Sequence, residues 1–251
     1  MQIRSARDVK ALPRDALFEF VAENIRYLTE EEALAVLDNP YANSRLLGTV
    51  AQNQRLTGFY SVRLRLVAHR QTPQAHAVKL VHYLHWPDLV RLSVEVTVPA
   101  ATRRAIDTLL LNRVDKLSLG ERIASARRCS QALIKVFLFD SDPRVFASLL
   151  INQRLREDDL LHLLGSTEAT PDQLRMIGDD RRWSYRYAIR KGLVLNARTP
   201  RSTAAAQLRY LSRRDLVMLH NNPSVSVYLK RCIERMGGEE RGVSRRASSV
   251  D

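Results

Sequence analysis

Cysteine is scarce in this sequence, and no long apolar run is present. Of the 251 residues only Cys129 and Cys232 are cysteines, and they lie far apart, without the paired spacing of a zinc finger or a disulfide framework. The longest apolar candidate, residues 132–138, is much shorter than the roughly 20 residues that cross a bilayer. Residues 1–8 lack the apolar segment of a secretory signal. We therefore expect a cytoplasmic protein that does not insert into membranes.

Glycine and aromatic residues are also few. The chain has nine Gly, nine Pro, six Phe and two Trp, and its apolar residues are mostly Leu, Ala, Val and Ile. Leu, Ala and Arg favour helices, whereas an all-β sandwich of this length would need more turn residues and aromatics. This composition predicts an all-α fold.

Lysine is nearly absent although the chain is strongly basic. Only six of the forty basic residues are Lys, and the net charge is +13. The guanidinium of arginine forms forked contacts with phosphate and carboxylate groups that lysine cannot make. An Arg-rich surface suits nucleic acid, anionic lipid or an acidic protein. Codon bias in a GC-rich genome is the alternative explanation, and the composition leaves both open.

An internal repeat is visible by eye. Residues 60–92 and 187–219 align without a gap at an offset of 127, with thirteen identities in thirty-three positions, and weaker agreement extends the duplication to 34–92 and 161–219. A second echo, Asn-Gln-Arg-Leu at 53–56 and 152–155, has a shorter offset. Two offsets indicate that the basic unit is smaller than either copy.

Proline punctuates the chain every twenty to forty-odd residues. Thr, Asn or Asp before Pro is typical of a helix start, because the side-chain oxygen can cap the helix and Pro needs no N–H at the first position. Asp88 and its repeat mate Asp215 are each expected to begin a helix, where a carboxylate meets the positive end of the dipole. The steps predict short helices in pairs, at Asn39-Pro40, Thr72-Pro73, Val98-Pro99, Asp142-Pro143, Thr170-Pro171, Thr199-Pro200 and Asn222-Pro223.

These Pro steps and the Leu/Val/Ala pattern after them resemble HEAT-like α-solenoids, and most closely the leucine-rich repeat variant type. The resemblance implies an all-α, right-handed α-solenoid of stacked helix pairs, in which each pair hides its apolar face against its neighbours. It divides the chain into an N-terminal capping helix within 1–29, a helical repeat domain at 30–236 and a disordered basic tail at 237–251. Residues 114–128 match neither copy and are expected to form a modified unit.

Signatures of chemistry are absent from the sequence. No Gly-rich phosphate loop, GxSxG or HExxH motif occurs, and His82 and His85 lack a third metal ligand of clear spacing. We therefore expect no catalytic residue, cofactor or metal. One alternative is an enzyme: HEAT-like folds include the alkylpurine DNA glycosylases, which the chain resembles in architecture and basic charge. That resemblance implies a lesion-binding role for Trp86, Asp88 and the segment 182–187.

The best candidate for function is a basic, aromatic run at 181–191. On a helix, several of its cations fall near one face, and aromatic residues lie between them, which suits phosphate contact with base stacking or an acidic peptide. We predict a non-enzymatic scaffold that binds a protein partner through a concave, Arg-rich surface, with nucleic acid as the alternative partner. The predicted binding residues are Arg182, Trp183, Tyr185, Arg186, Arg190, Lys191, Arg198, Arg201, Arg213 and Arg214.

Overall fold

A computed structural model describes residues 5–236, and the predicted disordered tail at 237–251 lies outside this range. Within residues 5–236 every regular element is a helix and no strand occurs, so the predicted all-α fold is confirmed. None of these helices is both long enough and apolar enough to cross a membrane.

Helices of the first half are short and closely spaced. Their bounds are α1 (Ala6–Lys10), α2 (Arg14–Asn24), α3 (Glu30–Asp38), α4 (Ser44–Gln52), α5 (Gln54–Gly58), α6 (Tyr60–Ala68), α7 (Gln74–Val81), α8 (Trp86–Ser93) and α9 (Ala100–Leu111). A 3-10 helix, η1 (Val114–Lys116), and α10 (Leu119–Ala126) occupy the segment that matched neither copy.

Helices of the second half follow the same pattern. Their bounds are α11 (Gln131–Phe137), α12 (Pro143–Leu150), α13 (Glu157–Gly165), α14 (Pro171–Asp179), α15 (Arg181–Ser184), α16 (Tyr187–Leu195), α17 (Arg201–Leu208), α18 (Arg213–Asn221) and α19 (227–236). At the 127-residue offset, α3, α4, α6 and α7 have the same bounds as α13, α14, α16 and α17. We call residues 30–111 copy 1 and residues 157–236 copy 2.

The chain divides into two compact units. Unit 1 comprises residues up to 121 together with 128–133, and unit 2 comprises 122–127 together with residues from 134 onward. In unit 1, α3 packs on α6, α4 on α7, and α7 on α9. In unit 2, α13 packs on α16, α12 on α14, and α14 on α17. First helices of successive pairs thus contact each other, and so do second helices.

Proline plays two roles at the predicted steps. Asp142 and Thr170 cap α12 and α14, whose first residues are Pro143 and Pro171, as the sequence predicts. At Pro73 and Pro200 the proline itself precedes the helix, and the preceding threonine hydroxyls are buried without a hydrogen-bond partner. Asn39 and Asn222 instead end helices, because they follow α3 and α18.

Amide side chains of a buried Asn39 and a half-buried Asn196 join successive helix pairs. The Nδ2 of Asn39 donates to the carbonyls of Val9 and Leu12, each at 3.0 Å, at the end of α1. In unit 2, the Nδ2 of Asn196 donates to the carbonyl of Leu164 at 2.8 Å, near the end of α13. Carbonyls at helix ends have no partner within their own helix. These amides therefore fix the spacing of pairs while satisfying buried acceptors.

Two helices, α1 and α2, lie within the predicted capping segment at 1–29. Val9 and Leu12 are buried beside Asn39, and α1 packs on α3. Its role as a cap stays a prediction.

Candidate binding surface

Three connecting segments of unit 2 lie side by side and form one edge of the helix pairs. The guanidinium of Arg182 donates to the carbonyl of Asn152 at 3.2 Å and reaches that of Leu155 at 3.5 Å, so segment 180–186 lies against loop 151–156. The backbone N–H of Ser212 donates to the Tyr187 hydroxyl at 3.0 Å, which places loop 209–212 next in line. Side chains from all three segments therefore share one surface.

Arginine dominates this surface, and we call the set the arginine edge. Five of its members are exposed and Arg186 is half-buried. The set comprises Arg156, Arg181, Arg186, Arg209, Arg213 and Arg214, and Tyr185 and Tyr210 lie among them.

The predicted residues do not all lie on this edge. Helix α16 has nine residues and is about 13 Å long, so its two ends face opposite sides of the pair. Arg198 follows the far end and donates to the carbonyl of Thr167 at 2.6 Å. Arg201 begins α17 on that same side, where its guanidinium lies 5.9 Å from the centroid of the Tyr228 ring. The structure therefore separates Arg198 and Arg201 from the arginine edge.

Trp183, predicted as a surface aromatic, lies in the core. Its side chain is 1% exposed, and its repeat mate Leu56 is fully buried in unit 1. The indole contacts two cations, because the guanidiniums of Arg182 and Arg186 lie 4.5 Å and 5.0 Å from its ring centroid. Its burial excludes direct contact of the indole with a partner or a base.

Arg182 and Arg190 hold the fold together. In copy 1, Arg55 donates to the carbonyl of Leu28 at 2.6 Å, which repeats the contact of Arg182 at the same offset. Arg190 bonds the carbonyl of Ser184 and lies 3.7 Å from the centroid of Tyr210. Its mate Arg63 lies 6.0 Å from Tyr83 in copy 1. Because both copies make these contacts, we assign Arg182 and Arg190 a structural role.

Arginines of the arginine edge have no counterpart in the first half of the chain. At the 127-residue offset, copy 1 and the loop before it carry neutral residues at all six positions: Thr29, Gln54, Phe59, His82, Trp86 and Pro87. Residues 181–235 hold thirteen Lys and Arg against two Asp and Glu, whereas residues 54–108 hold eight against three. Since the helix bounds agree, the fold does not require these added cations.

Few acidic side chains neutralise the arginine edge. Arg186 pairs with Glu157 at 2.5 Å, and this hydrogen bond raises the pKa of the Arg186 guanidinium above its usual value. Arg156, Arg181, Arg209 and the pair at 213–214 form no ion pair with any residue in 5–236. Their charge is available to an anionic partner.

The Tyr210 ring contacts both Arg190, which bonds within the fold, and Arg209 of the arginine edge. The guanidinium of Arg190 lies 3.7 Å from its ring centroid and that of Arg209 lies 4.8 Å away. Cation–π contacts of this kind hold arginines in place at low entropic cost. Tyr185, in contrast, is exposed, and its nearest cation is Arg186 at 5.6 Å from the ring centroid.

Asp88 and Asp215 make the same hydrogen bond in the two copies. Each lies in the first turn of its helix, as the sequence predicts, and accepts a hydrogen bond from the hydroxyl of Tyr60 or Tyr187. Lys191 also donates to Asp215 at 2.9 Å. The duplicated tyrosine contact makes this aspartate part of the architecture.

Stability should fall in acid through Asp215. The Tyr187 and Lys191 contacts lower its pKa from 3.8 to about 2, so they stabilise the fold above the unfolded value and are lost as pH falls through the folded value. The difference in free energy of unfolding between the native chain and Asp215→Asn should therefore shrink between about pH 4 and about pH 2. Urea unfolding across this range measures it. A difference that does not vary with pH would contradict the assignment.

Metal-binding geometry is absent from residues 5–236, where no three His, Cys, Asp or Glu side chains are grouped to hold an ion. His85, one of the two histidines considered as ligands, stacks on Tyr60 with ring centroids 4.5 Å apart.

Comparison of the chain with protein-family models, curated proteins and solved structures finds no match. Functional inference therefore rests on the geometry above.

The predicted binding residues did not include Arg156, Arg181 or Arg209, although Arg181 begins the basic run at 181–191. The signal was present in the repeat alignment, because each arginine stands opposite a neutral residue of the first half. Nothing in the alignment showed that the three segments are neighbours, which depends on contacts between helix pairs.

Proposed function

We propose that this chain is a non-enzymatic helical-repeat scaffold that binds an acidic protein partner through the arginine edge. We further propose that its helix pairs form a right-handed α-solenoid of the HEAT-like, leucine-rich repeat variant type. Support for the fold comes from the two rows of like helices in each unit and from amide contacts between successive pairs. Solenoid repeats present such aligned loops as extended binding surfaces.

One observation carries the functional proposal: all six arginines of the arginine edge stand where the first half of the chain has neutral residues. Codon bias acts on both copies alike, so it does not account for arginines that are confined to one half of the chain. Architecture does not explain them either, since copy 1 forms the same helices without them. A partner with clustered carboxylates would explain these arginines, because arginine binds carboxylates in a forked geometry.

We favour protein over nucleic acid because the ring of Tyr210 is already covered by a guanidinium. A base would stack on an open aromatic face, but the Tyr210 ring already carries the Arg190 guanidinium at 3.7 Å. Nucleic acid remains the second candidate because Tyr185 is exposed beside the arginines.

Exchanging edge arginines for their copy 1 residues tests the proposal. Arg181→Gln with Arg209→His should weaken binding to polyglutamate, and to a partner captured from the native host, by between about twofold and thirtyfold. This range follows from about 0.2–1 kcal/mol for each exposed ion pair. The melting temperature should stay unchanged, since copy 1 tolerates both residues.

The matched control removes two arginines from the opposite side of the helix pairs. Arg198→Gln with Arg201→Gln also installs the copy 1 residues, Gln71 and Gln74, and should leave polyglutamate binding nearly unchanged. Equal losses in the two double variants would show that net charge, not the arginine edge, controls binding and would contradict the proposal.

Salt dependence distinguishes the second candidate. A duplex whose six phosphates are neutralised by the edge should show a slope of log K against log salt of about −5. Such binding, with no binding of polyglutamate, would replace the protein partner with nucleic acid.

A further inference from the structure

Helix α18 exposes apolar side chains that its counterpart in copy 1 does not. Val217 is 55% exposed, whereas its repeat mate Val90 is only 6% exposed. Met218 is 47% exposed and stands where copy 1 has Arg91. With Arg214 and Asn221 these residues follow the i, i+3, i+4, i+7 spacing of one helix face. We call this set the α18 face.

Comparison of α18 with α16 indicates which direction this face points in. Within unit 2, a 26-residue shift superposes α16 on α18 and places Val217 at the position of Lys191. Lys191 reaches forward to Asp215 on α18, so this position on a first helix points toward the first helix of the following pair. Val217 therefore faces the position where another helix would pack.

Helix α2 carries an acidic stripe of complementary chemistry. Asp15, Glu19 and Glu23 are spaced i, i+4, i+8, are exposed, and form no ion pair with any residue in 5–236. Like charges at i, i+4 destabilise a helix. The stripe thus costs local stability, and the exposed Tyr27 follows it closely.

We propose that the α18 face is docked by α2 of a second copy of this chain. The carboxylates of the stripe meet Arg214 and its neighbours, while Tyr27 and the helix surface cover Val217 and Met218. The contact therefore joins two different surfaces of the chain. It shares Arg214 with the arginine edge, but it does not require the proposed acidic partner.

Charge exchange between the two faces tests this docking by sedimentation of the full chain at low salt. The native chain should associate in a concentration-dependent way, and high salt should weaken the association. An α2 variant, Glu19→Arg with Glu23→Arg, and an α18 variant, Arg214→Glu with Met218→Glu, should each sediment as monomers. Mixing the two should restore association, because every contact between unlike molecules again pairs opposite charges.

Other outcomes decide against the proposal. A native chain that stays monomeric at about 1 mM would exclude a useful affinity. Association that persists in both variants would place the contact elsewhere, and two silent variants that do not associate when mixed would show that the faces do not meet. Both variants alter exposed positions, so unchanged circular dichroism and melting temperature confirm folding. Arg181→Gln with Arg209→His should associate as the native chain does, which separates this inference from the proposed function.

Discussion

Replacement of Leu84 by Asp should unfold unit 1 at room temperature. Leu84 is 4% exposed and lies between α7 and α8, so an ionised carboxylate there would lose its hydration without gaining a partner. We expect a loss above about 4 kcal/mol, which is a large part of the stability of a typical domain. Urea unfolding followed by far-ultraviolet circular dichroism measures it.

Two controls accompany Leu84→Asp: an exposed residue of the same unit and the repeat mate of Leu84. Val96 is 84% exposed in the same unit, and Val96→Asp should change the free energy of unfolding by no more than about 0.5 kcal/mol. Leu211, the repeat mate of Leu84, is also buried, and Leu211→Asp should unfold unit 2 in the same way. A Leu84→Asp chain with native unfolding behaviour would show that the helix pairs do not share this apolar core.

Truncation of Trp183 to alanine should cost about 3–5 kcal/mol. The indole is buried and carries the guanidiniums of Arg182 and Arg186 on its ring, so its loss leaves a cavity and frees two cations. Trp183→Leu installs the residue that copy 1 has at Leu56 and should cost less. Thermal and urea unfolding of the two variants measure the difference.

Tyr185 supplies the matched control for this prediction. It is two residues away and exposed, so Tyr185→Ala should leave stability within about 0.5 kcal/mol of the native chain. A stable Trp183→Ala chain that loses partner binding would return Trp183 to the binding surface and contradict its placement in the core.

Helix pairing was predictable because its determinants are local. Proline and capping residues at Asp142 and Thr170 start helices through contacts within four residues, and the structure places both as N-caps. Thr72 and Thr199 have the same pattern but leave their hydroxyls buried and unbonded, because the following proline precedes the helix. Cap position is decided by how the helix packs, and the dipeptide does not encode that.

Membership of the candidate surface was harder to predict. The run at 181–191 mixes Trp183, which is buried, with exposed arginines one or two residues away. Its Arg182 bonds carbonyls about thirty residues earlier in the chain, a contact that no helical periodicity reveals. Arg198 shares the charge of the run but lies on the other side of the helix pair.

Helical content, the pairing of short helices and the duplication were predictable from the sequence, because capping, propensity and apolar spacing act over a few residues and recur at one offset. Which arginines bond the fold and which remain available depends on tertiary packing. Both kinds carry the same charge in the sequence. Only the packing of one helix pair on the next determines whether a guanidinium meets a carbonyl, as in Arg182, or solvent, as in Arg181.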